Sequence, residues 1–164
     1  MIRTSGQTAD TAFATALRSA YAAAFRLLAD EAEAGAATLA AVEAASREVA
    51  NGGPEISALR ELRRVALHES VARLRSRGLR SGTASELRRP AASQGAGGAR
   101  MTFDAVLALP DAMRAVFVLR AVERLEDDRV ARLLGLDESD VGRLFVAAVA
   151  ALRASEAGGE CENW

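Results

Sequence analysis

Arg60, Arg63, Arg64, Arg73, Arg75 and Arg77 form a dense group of cations in the middle of the chain. A guanidinium presents a planar fork of N–H donors that fits phosphate and carboxylate alike. The chemistry open to this group is contact with nucleic-acid phosphates or with an acidic partner. The alternative is a solvated helix face whose charges pair with Glu61 and Glu69. Elsewhere chemistry-bearing residues are sparse. His68 is the only histidine and Cys161 the only cysteine; no Ser-His-Asp or Cys-His grouping that a single His could support is found, and a thiolate zinc site is excluded. Gly95, Ala96, Gly97 and Gly98 follow no strand and open no helix, which makes them linker rather than a phosphate loop. His68 is expected as a core or boundary residue. Glu31, Glu33, Asp127 and Asp128 are expected as helix-start charges favoured by the macrodipole. No catalysis, metal or cofactor is expected.

The elements that must position these residues are helical. Half of the 164 residues are hydrophobic, yet aromatics make up 4% and alanine dominates. That composition favours helices packed through small side chains over a β fold. The formal net charge of −1 hides an uneven distribution. Residues 54–100 hold ten arginines against four acids, whereas residues 101–164 hold seven against twelve. A basic middle suits phosphate or an acidic partner, and an acidic final third is poorly suited to DNA. The absence of lysine has the look of coding bias. The first residues lack a secretory pattern, and no apolar run approaches the about 18 residues of a membrane span, so a cytoplasmic protein without membrane contact is expected.

Periodicity places a helical domain at residues 8–77, a flexible linker at 78–100, a second helical domain at 101–155 and a tail at 156–164. In the first, Phe13, Leu17, Tyr21, Phe25 and Leu28 mark one helix face. An alanine-rich helix over about residues 33–50 follows Asp30 and stops at Asn51-Gly52-Gly53-Pro54. The next helix turns Leu59, Leu62, Val65, Ala66 and Leu74 inward. In the second domain Leu109-Pro110-Asp111 opens a helix with Met113, Val116, Phe117 and Ala121 inside. A short helix comes next, then a tight turn at Gly135, then a helix capped by Asp137 with Val141, Phe145, Ala148 and Leu152 on its buried stripe. Helix, short helix, glycine turn and helix make a helix-turn-helix pattern.

The run LPDAMRAVFVLRAVERLEDDRVARLLGLDESDV at residues 109–141 resembles region 4 of extracytoplasmic-function (ECF) sigma factors. The segment from Leu62 to His68, with the arginines at 73–77, is similar to the end of region 2 in that family. The resemblance implies two small helical domains, region-2-like and region-4-like. It also implies where this chain departs. Family recognition helices carry many cations outward, whereas the corresponding surface here is Gly142, Arg143, Leu144, Val146, Ala147, Val149 and Ala150. The stretch Gly35-Ala36-Ala37-Thr38-Leu39-Ala40 lacks the carboxylates that the family turns toward RNA polymerase, and no Trp or Tyr stands near residues 57–64. These departures are similar to the sigma-like domain of PhyR-type general-stress regulators, a sigma mimic that sequesters an anti-sigma protein; the receiver domain that such a regulator also carries is not expected within these 164 residues.

The expectation is thus an all-α sigma-like transcription regulator acting by protein contact. Its partner-binding face is Arg143, Leu144, Val146, Ala147, Val149 and Ala150, and its partner an anti-sigma factor or an RNA polymerase component. Burial of Leu144, Val146 and Val149 within the molecule is the competing reading of that face. DNA contact, weak or absent, would fall to the 60–77 arginines. Two alternatives stay open: a working ECF sigma factor, and an interaction protein that keeps only the scaffold. The sequence leaves the oligomeric state open.

Overall fold

The computed structural model describes residues 4–79 and 103–157, and every regular element among them is helical. In chain order these are α1 (Thr4–Leu28), α2 (Glu31–Ala50), α3 (Glu55–Ser76), α4 (Phe103–Leu107), α5 (Asp111–Phe117), a π turn (Val118–Val122), α6 (Asp127–Leu134) and α7 (Glu138–Ala157). The chain divides into two compact units between Arg73 and Leu74, inside α3. The linker expected at 78–100 lies outside the described residues from Arg80 onward, as does the tail beyond Ala157.

Local signals set the helix ends. The Asp30 side chain accepts from the Glu33 amide at 2.9 Å and caps α2. Asn51 and Gly52, the latter at φ 84°, stop it. Two other turns use the left-handed region without glycine: Ala29 at φ 50° between α1 and α2, and Arg124 at φ 55° after the π turn. A side chain costs roughly 1 kcal/mol in that conformation. Ala29→Gly and Arg124→Gly should therefore each raise stability, by about 0.5 kcal/mol after the added freedom of the unfolded chain is counted. Urea denaturation checks this, and a loss of stability would mean the turns are unstrained.

The first unit has an alanine core. Ala20, Ala23 and Ala24 of α1 are buried with Leu27 and Leu28, as are Ala34, Ala37, Ala41 and Ala45 of α2. Ala20, Ala41, Ala45, Ala58, Leu62 and Ala66 form one cluster drawn from α1, α2 and α3, with Leu59 and Val65 packed at its edge. Small side chains let helix axes approach to the short end of the usual range, roughly 8 Å. Thr38 and Ser70 are buried too, each returning its hydroxyl to the carbonyl four residues back, at 2.7 Å.

This core corrects the expected face of α1. Phe13 and Tyr21 are exposed at 40% and 38%, while Phe25 is half-buried and stacks on Tyr21 at 6.1 Å. The spacing of the aromatics is helical, but they border the buried stripe rather than form it. Alanine took the inside because the neighbouring helix is close, and a ring would hold it away.

In the second unit, residues 112–119 are buried without interruption, so the end of α5 and the start of the π turn are surrounded on all sides. One of those residues is Arg114, 4% exposed. Its Nη1 donates to the carbonyls of Leu107 at 3.0 Å and Leu109 at 2.7 Å, and Nη2 donates to Asp111. Burial pulls this guanidinium below the ordinary arginine value, and Asp111 pulls it back up. The π turn corrects a second expectation: Ala121 is exposed. The amide of Glu123 bonds the carbonyl of Val118, five residues back, so the extra residue rotates the succeeding side chains out of the 3.6 period.

Candidate functional site

The helix-turn-helix corner is built from α6, Gly135 and α7. Val130, Ala131 and Leu134 anchor α6, whose last turn ends at Gly135 with φ 69° and ψ 37°. A side chain would be strained there, which is why the corner needs glycine. The carbonyl of Asp137 then accepts from the amides of Asp140 and Val141 as α7 begins. Val141, Leu144, Ala148 and Leu152 form the buried stripe of α7.

That stripe corrects one member of the expected partner face. Leu144 is 5% exposed and belongs to the core. Phe145, expected on the inner stripe in its place, is half-buried instead. The two neighbours sit on either side of the stripe centre, and packing chose leucine for the interior. Phe145 stacks on Phe117 with centroids 6.2 Å apart, and the Arg120 guanidinium lies over its ring at 4.1 Å. Arg120 Nε also stands 2.5 Å from Asp127 Oδ1 at the start of α6. Sequence reasoning misses this junction, although Arg120 stands four residues after Val116 and three after Phe117, on the same helix face.

The other five residues of the expected face divide by exposure. Val146 is the most open large hydrophobic side chain among the described residues, at 68%. Ala150 and Arg143 are exposed, and Ala147 and Val149 are half-buried. Gly142, Val146, Val149 and Arg153 recur at i, i+4, i+7 and i+11 and share one side of α7. Arg143 is engaged by Asp140 one turn earlier. Arg153, also exposed, was not among the expected residues although this spacing contains it.

The six arginines at 60–77 do not form a single surface. Arg63 donates to Ser19 Oγ at 3.0 Å and ties α3 to α1. Arg73 donates to Glu33 Oε2 at 3.2 Å and ties α3 to α2. Both are half-buried and hold the bundle together. Arg60, Arg64, Arg75 and Arg77 are exposed. His68 is exposed as well, and not the core or boundary residue expected; it follows Arg60 and Arg64 at the same four-residue step. Arg64 hydrogen-bonds Glu61 and holds that carboxyl below the ordinary glutamate range. Glu61 therefore stays ionised further into acid than an ordinary glutamate, and any contribution of the pair fades as pH falls through the lowered value.

Among the described residues, no three or more His, Cys, Asp or Glu side chains are grouped to hold a metal ion. No described helix is long and apolar enough to cross a membrane. No family model matches the chain, and no curated protein or solved structure matches it.

Proposed function

We propose that this protein is a sigma-factor-like transcription regulator that acts mainly by protein–protein contact, as a mimic that engages an anti-sigma-type protein or an RNA polymerase component. The observation that carries the reading is Val146, 68% exposed in the middle of the helix that would read DNA in a sigma factor. A helix in the major groove needs cations for phosphates and polar groups for base edges. Here an open position is a valine, between Phe145 and Ala147, and the guanidinium of Arg143 one turn before it is held by Asp140. Apolar side chains in that place suit a protein partner.

The reading is tested by recovering the tagged protein from its native cell at moderate salt and identifying what accompanies it. A small protein without polymerase supports the mimic. Val146→Glu should then weaken capture by roughly thirtyfold or more, because a charge would be buried at the contact, while helicity stays unchanged. Unchanged capture removes this face as the interface. The isolated protein should also fail to shift promoter-length DNA at physiological salt.

The second reading, a working ECF sigma factor, is favoured by the exposed Arg60, Arg64, Arg75 and Arg77. It requires stoichiometric polymerase subunits in the capture, and promoter binding that falls steeply as salt rises. Recovery of neither partner leaves a scaffold-keeping interaction protein.

A further inference from the structure

We infer that α6 is a latched element, able to open as a unit about the Gly135 turn, and that Arg120 is its latch. With eight residues, α6 is too short to persist on its own. Its two ends are held differently. The C-terminal end is capped by left-handed Gly135 and anchored by the buried Leu134, while Val130 is buried at mid-helix. At the N-terminal end Glu126 makes no side-chain cap bond. Of the two acids in the first turn, Asp128 pairs within α6 itself, with Arg132 at 2.8 Å. Asp127 pairs outward, with Arg120.

The Arg120 guanidinium in turn sits over the Phe145 ring of α7, so one side chain joins the π turn, α6 and α7. Arg120 stands within the π turn, and left-handed Arg124 comes shortly after. Val130 and Leu134 keep the closed form dominant. Releasing Asp127 frees the weakly capped end first. It also leaves Arg120 without its ion partner over Phe145, the residue beside Val146. Any effect of opening on partner binding rests on the function proposed above; the latch does not.

Amide hydrogen exchange of the full chain tests the latch. In Arg120→Ala, the α6 amides of Val130, Ala131 and Leu134 should exchange roughly tenfold faster, while those of Val116 and Ala148 keep their rates. Arg120→Lys, which keeps the charge and loses the broad guanidinium over the ring, should fall between. Equal acceleration in α5, α6 and α7 would show one cooperative unit and overturn the latch. So would unchanged exchange in α6. If Arg120→Ala does not fold, Asp127→Asn makes the same comparison with the guanidinium over the ring kept and a smaller, few-fold effect, and the same two results overturn it.

Discussion

Arg114→Ala lowers the stability of the protein by about 3 kcal/mol or more, a loss on the scale of truncating a large core side chain. The guanidinium is 4% exposed and donates to two backbone carbonyls, of Leu107 and Leu109, which close the turn between α4 and α5. Alanine leaves both acceptors without their donor, at roughly 1–3 kcal/mol for each that stays buried. It also opens a void among residues buried on every side, and a void adds its own cost. Asp111, at 44% exposure of its side chain, can return to water and limits the total. Arg114→Lys should recover only part of the loss, because an ammonium lacks the planar fork that reaches both carbonyls and the carboxylate together. Urea denaturation followed by far-UV circular dichroism measures all three proteins. A change of less than about 1 kcal/mol for alanine would mean that water replaces the guanidinium at the carbonyls.

Ala41→Leu destabilises the first unit by about 3 kcal/mol, where most alanine-to-leucine changes in an exposed helix are neutral. Ala41 is fully buried and shares its cluster with Ala20 of α1 and with Ala58, Leu62 and Ala66 of α3. Leucine's added carbons have no space unless the helices separate, and separation undoes the contacts of every other alanine in the stripe. Ala32→Leu is the control, since Ala32 is exposed on the same helix and should change stability by no more than about 0.5 kcal/mol. Equal effects at the two sites would show that the alanine core is loosely packed.

The elements were legible wherever a residue acts on its own backbone. Asp30 with the Glu33 amide, the Asn51-Gly52-Gly53-Pro54 stop and the Gly135 turn could each be read from a few neighbouring residues, because capping and left-handed turns are short-range chemistry. The all-helical class followed from composition. Of the candidate site, exposed Val146 on α7 was legible, as was the exposure of Arg60, Arg64, Arg75 and Arg77.

What the neighbours choose was not. Helical spacing says that two residues share a face, but not which of two adjacent faces will meet another helix. The aromatics of α1 lost the interior to alanine for that reason, and Phe145 lost it to Leu144. The π turn has no sequence signal, so helical spacing puts Ala121 inside. Spacing also puts Arg120 beside Val116 and Phe117, but not the ring of Phe145 and the carboxylate of Asp127 that engage it. Arg63, Arg73 and Arg114 look like ordinary surface cations until partners distant in sequence, or a turn that curls back, take up their donors. The sequence alone determined where helices begin, where they end and that the described elements are helices, since those choices are made within a turn or two of chain. Only the tertiary structure decided which faces are buried and which arginines are engaged, because burial is a property of two surfaces and each residue carries just one of them.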